Sequence, residues 1–458
     1  MKVDTVIKNG KIFTSAGFFE AGVAIDAGKI VSIAKDSNLP QAEEEIDAGG
    51  NIVIPGVIDA HVHIHVPGFL HREDFGNGSK AAAIGGTTTV IDFAIPVEDS
   101  LQKVFSLMRS EGERLSTIDF ALHAAVCLEK HIEEISQVSK MGAASFKHFM
   151  ANPDGIPFID SGGMLESLGR IKEAGSLATV HAENESIRVR LMNELKKLGR
   201  SDPIAHALSR PTIAEAEAIS RAIILASEVH VPLHVFHVTS GHGTDLIRQA
   251  RGRGQFVSGE TCPHYLLFNQ EDLKRLGPYL QVNPPLRSKA DSEALWRALA
   301  EGVLDVVVTD HCAPMMAEKE KGWKNIWEVE GGVPGVETRV MLMISEGYHR
   351  REIPLERLVD VMSTYPAKIF GLYPEKGVIQ VGSDADITII DLDKEATIKA
   401  ENLHHRADWT PFEGMRVRGI PNLAMVRGKT VARDGIALGK EGYGRYYPRK
   451  MMTETQDA

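Results

Sequence analysis

Val57-Ile58-Asp59-Ala60-His61-Val62-His63 begins as a short apolar strand and runs out into two histidines two residues apart. In extended backbone, residues i and i+2 share a face, so both imidazoles point the same way. The rhythm recurs along the chain, with short apolar runs alternating with amphipathic helical segments. Eight runs stand at 57–59, 88–93, 119–126, 144–149, 176–180, 233–237, 255–259 and 306–309, with helical segments such as 211–228 and 289–300 between them. Repeated strand–helix units build parallel sheets. Eight of them predict a closed (β/α)8 TIM-like barrel over 55–370. An open doubly wound sheet is the alternative, disfavoured because open sheets usually carry fewer strands.

Outside this region the pattern turns to β structure. Residues 5–11, 23–25 and 30–33 read as strands separated by Asn9-Gly10 and Ala27-Gly28 turns. Alternation returns at 386–391 and 423–426, after the turn residues Gly382-Ser383-Asp384. The two chain ends are expected to form one small β-sandwich domain, 1–54 plus 371–448, beside the barrel of an α/β protein, with 449–458 a flexible tail.

Composition bounds the partners. The chain has 458 residues, 43% hydrophobic and 25% charged, which describes a soluble globular protein able to bury a large core. Its net charge of −11 argues against nucleic acid and anionic membrane, both of which select a basic face. No long apolar stretch suggests a membrane span or a signal peptide, so the expected location is cytoplasmic and the expected partner a small molecule or another subunit. Cys127, Cys262 and Cys312 lie far apart and read as plain thiols, neither a disulfide framework nor a metal motif.

Barrel active sites form at the carboxyl ends of the strands, and that is where the chemistry-bearing residues collect. His61 and His63 follow the first strand, Lys147 the fourth, His181 and Glu183 the fifth, His237 the sixth, and Asp310 and His311 the eighth. Imidazole and carboxylate suit divalent first-row metals such as zinc or manganese. Lys147 is the odd member, because a low dielectric disfavours its ammonium form. Alone it reads as a snorkelling or paired lysine; near two cations it could instead lose its proton and react with carbon dioxide, so that a carbamate bridges the metals.

Taken together, Val57-Ile58-Asp59 with His61 and His63, Ser145-Phe146-Lys147-His148-Phe149-Met150, His181-Ala182-Glu183-Asn184, Glu260-Thr261-Cys262-Pro263-His264-Tyr265-Leu266, Asp310-His311-Cys312 and Gly382-Ser383-Asp384-Ala385-Asp386 resemble the cyclic amidohydrolases of the amidohydrolase superfamily. The likeness spans nearly the whole chain and is greatest for the hydantoinase, allantoinase and dihydropyrimidinase group. It implies that His61, His63 and Asp310 bind a more buried metal, that His181 and His237 bind a more exposed one, and that carboxylated Lys147 bridges the two. Zinc is the first candidate for both ions and manganese the alternative. Such a pair would share a water and turn it into hydroxide near neutral pH. The hydroxide would attack a ring carbonyl while Asp310 passes a proton to the leaving nitrogen. The implied activity is opening of hydantoin-like or allantoin-like cyclic ureides or imides, by a homotetramer or homodimer.

Substrate contacts depart from parts of the family pattern. Dihydroorotases, the enzyme alternative, carry an Arg two residues after the HxH pair and an Asn after the second strand. Here His65 holds the first place and Phe93-Ala94-Ile95-Pro96 offers no Asn, leaving Arg72 or His71 on the loop 66–75 as substitutes. Asn152 stands where D-selective relatives carry a Tyr. Asn283, before Pro284-Pro285-Leu286-Arg287, and Gly331, in Gly331-Gly332-Val333-Pro334, match positions that read the ring imide through backbone groups. Asn152, Asn283 and Gly331 are therefore the candidate substrate contacts, with ordinary turn roles as the alternative. His264 and His311 read as orienting partners of the metal site. The run 319–324 with Trp323 and Trp327 reads as a lid, a subunit contact or a solvated loop. An inactive scaffold homologue is the non-enzymatic alternative; it predicts lost ligands, whereas all six candidates are present.

Overall fold

The computed structural model describes residues 2–450. Five strands come from the amino-terminal segment: β1 (Val3–Thr14), β2 (Gly17–Asp26), β3 (Lys29–Ala34), β4 (Ala42–Asp47) and β5 (Ile52–Pro55). Eight follow in alternation with helices: β6 (Val57–Asp59), β7 (Thr87–Ala94), β8 (Asp119–Ala125), β9 (Phe146–Phe149), β10 (Ala178–His181), β11 (Leu233–Val235), β12 (Val257–Thr261) and β13 (Val306–Val307). Four close the chain: β14 (Ile387–Thr397), β15 (Arg416–Val426), β16 (Lys429–Arg433) and β17 (Ile436–Ala437).

β6 to β13 pair in chain order and in parallel, the eight-stranded barrel that the apolar rhythm predicts. Several strand ends differ from the sequence expectation: β9 and β10 each begin two residues later, at Phe146 and Ala178, and the changes at β11, β12 and β13 bear on the site. β11 stops at Val235 and β13 at Val307, because His237 (φ 36°) and Asp310 (φ 48°) take left-handed backbone conformations that leave the ladder. β12 runs two residues later than expected, which puts Glu260 and Thr261 inside a strand.

The seam between β6 and β13 carries one isolated bridge, Val62 to His311, and is otherwise sealed by side chains. Arg339, fully buried, donates to the carbonyls of Ile58 (2.9 Å) and Val307 (2.8 Å) and lies 3.6 Å from Asp59. Asp59 accepts from the backbone N–H (3.1 Å) and hydroxyl (2.7 Å) of Thr309. Burial pushes the Asp59 carboxyl up, while the Arg339 charge and the Thr309 hydrogen bonds oppose the shift.

Strands from both termini form one mixed sheet, in the order β17-β16-β15-β14-β5-β1-β2-β3, with β4 also on β1. β5 against β14 joins the two ends of the chain. Gly56 links this sheet to the barrel in a space with no room for a side chain, since a Cβ there would lie 2.2 Å from Thr88 Oγ1. At the foot of β8, Asp119 binds Lys376 and Arg427, and Lys376 also reaches Asp386 (2.6 Å) and Asp384 (3.1 Å). This buried cluster of charges anchors the terminal sheet to the end of the barrel opposite the histidines. Arg449, expected to open the flexible tail, is instead buried and donates to the carbonyls of Ala144 (3.1 Å) and Ile369 (2.8 Å). The remaining expected tail, 451–458, lies outside the described residues. Among those described, no helix is long and apolar enough to cross a membrane.

Arg339→Met leaves Asp59 buried without its cation. Removing one partner of a buried ion pair costs roughly 3–5 kcal/mol, and chemical denaturation should read a loss in that range. A loss below about 1 kcal/mol would show that the barrel seam does not depend on this pair.

Candidate active site

Beyond β6 the chain stays extended long enough to aim His61 and His63 at Asp310, which follows β13. Asp310 Oδ1 lies 3.2 Å from His61 Nε2 and 3.3 Å from His63 Nε2, three ligand-type atoms converging on one point. His61 Nδ1 is bonded to Glu260 Oε1 at 2.6 Å, whereas its buried Nε2 has no hydrogen-bond partner. Burial holds His61 well below its ordinary pKa, so the ring is neutral, and a neutral imidazole that donates through Nδ1 presents a lone pair at Nε2. A buried, partnerless lone pair beside a carboxylate fits a cation.

The second half of the site is built from β10 and the turn after β11. His181 Nδ1 and His237 Nε2 approach to 3.1 Å, and His181 Nε2 lies 2.9 Å from Glu183 Oε2. The His61 and His237 rings are 5.4 Å apart, so both halves belong to one cluster. Left-handed backbone at His237 and Asp310 is sterically costly for residues with a Cβ, and such strain concentrates at functional sites. Burial works against ionised Asp310, but the hydrogen bond from His63 and the charges of His237, His63 and Lys147 hold its carboxyl at about 2.

Lys147 sits inside β9 with its Nζ 4.2 Å from the Phe93 ring centroid, 4.6 Å from that of Phe149 and 5.2 Å from that of Phe236. It forms no ion pair among the described residues. Burial in this aromatic cage brings the ammonium down to about 8, with Asp310 and Glu260 opposing. Its neutral amine is therefore favoured relative to that of an ordinary lysine. All six sequence-derived ligand candidates thus face one barrel mouth.

The other candidates have more local roles. Asn152 gives its backbone N–H to Glu185 (3.0 Å), and the Asn283 side chain bonds His206 Nε2 (3.0 Å). Gly332 N–H donates to the Gln281 carbonyl (3.0 Å), so the loops carrying Gly331 and Asn283 run side by side. Buried Lys319 joins them through the carbonyls of Gln281 (3.0 Å) and Glu330 (3.2 Å), which makes that part of the 319–324 run a structural pin. His311 accepts at Nδ1 from the N–H groups of Gly335 (3.0 Å) and Val336 (3.2 Å). Arg72, the substitute grip for an anionic substrate, is already bound to Glu318 (2.9 Å) and Glu330 (2.6 Å).

Sequence reasoning gave no roles to Glu260 as the partner of His61, to Arg210 as the partner of Glu183, or to the aromatic cage. Glu260 carried a usable signal, a charge at the end of an apolar run. Beside Lys147 lies a small apolar cluster separate from the main core, in which Ala125, Cys127 and Phe149 meet Ile95, Leu128 and Ile156.

The sequence pattern of the amidohydrolase family matches residues 52–431. Over 452 residues the chain is 38% identical to an L-hydantoinase from Paenarthrobacter aurescens, spanning 98% of both proteins. It is 39% identical over 454 residues to a D-hydantoinase from Geobacillus stearothermophilus, spanning 97% of this chain and 96% of that one. Among solved structures it is similar to the L-hydantoinase (dihydropyrimidinase) from Arthrobacter aurescens, with a TM-score of 0.94 and 37% identity over 98% of this chain and 100% of the other. The dihydropyrimidinase from Brevibacillus agri superposes with a TM-score of 0.93 at 36% identity, over 98% of this chain and 99% of that one.

In metal-free protein with isotopically labelled lysine, one Cε resonance should titrate near 8 and disappear in Lys147→Arg. Titration of every lysine near 10.4 would contradict the effect of the cage.

Proposed function

The chain belongs to the amidohydrolase family, and from that premise we propose that it is a metal-dependent hydrolase of cyclic amides, acting on hydantoin-like or allantoin-like ureides. The observation that carries the reading is the convergence of His61, His63 and Asp310 on a partnerless His61 Nε2. Two divalent cations, zinc or manganese, held by these residues with His181, His237 and carboxylated Lys147, would activate water near neutral pH and polarise the ring carbonyl.

The protein groups supply the remaining steps. Lys147 would reach the neutral form that carbon dioxide requires because burial among aromatic rings disfavours its ammonium charge. Asp310, ionised throughout the physiological range, takes a proton and delivers it to the leaving ring nitrogen, which must be protonated before the C–N bond breaks. Backbone groups around Asn283 and Gly331 hold the imide edge, with Asn152 at the mouth. Dihydroorotate is disfavoured because the Arg72 guanidinium is neutralised by two carboxylates. Self-association into a dimer or tetramer belongs to this reading, supported by Ile213 and Ile224, which are exposed eleven residues apart on one helix and so share a face.

Lys147→Ala should lose most bound metal and its turnover, with partial recovery in short carboxylic acids; two tightly held ions and full activity in that variant would remove the bridging role. Asp310→Asn should fold normally and lose about 100-fold or more in kcat. Parallel ring-opening assays on 5-substituted hydantoin enantiomers, hydantoin, allantoin, dihydrouracil and dihydroorotate should show turnover of a hydantoin-like or allantoin-like ureide and little of dihydroorotate. Inactivity on every ring by metal-loaded protein would contradict the proposed activity.

A further inference from the structure

The two halves of the site present their histidines in opposite ways. His61 offers Nε2 because its Nδ1 is bonded to Glu260 Oε1 (2.6 Å), whereas His181 offers Nδ1 because its Nε2 is bonded to Glu183 Oε2 (2.9 Å). Each ring is thus fixed in tautomer and direction by its own buried carboxylate, and the two carboxylates have different further side-chain partners.

Glu260, fully buried on β12, also accepts the His237 N–H (3.3 Å) and bonds His234 Nε2 through its second oxygen (3.1 Å). His234 Nδ1 is in turn 2.7 Å from Ser258 Oγ. This chain of contacts leads back to His234 and Ser258 near the beginnings of β11 and β12 and contains no lysine or arginine among the described residues. Glu183 is instead paired with Arg210, whose carbonyl accepts from Arg287. Arg287 continues to Thr239 Oγ1 (2.9 Å) and Glu215 (3.3 Å), so this second network lies toward the outer helices.

We propose that Glu260 and Glu183 are positioning residues with divided labour, each fixing the ligand nitrogen for a different one of the two cations, and that His234 holds Glu260 in place. The proposal rests on the two-metal reading above. Loss of a hydrogen bond that orients a metal-binding histidine weakens metal affinity about 10–100-fold, and because Glu260 meets His237 only at its backbone N–H, its hold on a ligand ring is confined to His61 and hence to one ion.

Competition with a chromophoric zinc chelator gives the stepwise affinities of the full-length protein. Wild type should bind two equivalents; fewer would overturn the two-metal reading itself. Given two, E260Q should weaken one step about 10–100-fold and leave the other unchanged, E183Q should do the same, and the double variant should weaken both. H234L, which touches neither proposed ion, should weaken the E260Q-sensitive step several-fold and decides the matter if E260Q does not fold. The division of labour is overturned if the double variant keeps one wild-type step, if a single variant weakens both steps together, or if E260Q and H234L leave both unchanged.

Discussion

The bond between Asp59 and Thr309 is the tie on which the rest depends. Both oxygens of a fully buried carboxylate on β6 hold one residue after β13, closing the barrel where its backbone ladder gives out. Thr309 immediately precedes Asp310, so the same tie sets the left-handed turn that carries the Asp310 carboxylate back over the mouth. The His63 N–H to the His311 carbonyl, at 2.7 Å, locks the other side of that turn. Barrel closure and the placement of Asp310 beside His61 and His63 therefore share the same hydrogen bonds.

A barrel interior this polar persists only when nearly every buried group has a partner. His123 illustrates the rule, with one ring nitrogen at Ser145 (2.7 Å) and the other at the Ala60 carbonyl (2.9 Å). The bare Nε2 of His61 is one of several buried atoms without a hydrogen-bond partner, His237 Nδ1 and His311 Nε2 among them, but it is the one that lies beside the Asp310 carboxylate, while Lys147 Nζ faces aromatic rings. At the opposite end, Asp119, Asp384 and Asp386 also cluster, but Lys376 and Arg427 already occupy the space a cation would take. Two carboxylate groupings in one barrel thus have opposite meanings, decided by whether a protein cation fills them.

Much of this was legible in the sequence because two periodicities are simple. Apolar runs with short helices between them give the eight strands, and the i, i+2 spacing of His61 and His63 gives the first ligand pair. Strand ends were less legible, because the departure of His237 and Asp310 from the ladder depends on side chains from other strands. Partner choice was least legible. Arg72 is a free cation on paper, but it is bound to Glu318 and Glu330, 246 and 258 residues away. Glu260 meets His61 across 199 residues, a pairing no local pattern encodes.

The central claim is that one barrel mouth holds two cations, one at His61, His63 and Asp310 and the other at His181 and His237, with Lys147 between them. Crystallography of metal-loaded protein at the zinc absorption edge tests it most directly. The account predicts two anomalous peaks about 3.5–4 Å apart, with density extending from Lys147 Nζ to both. A single peak, or two peaks with an unmodified lysine, would contradict it.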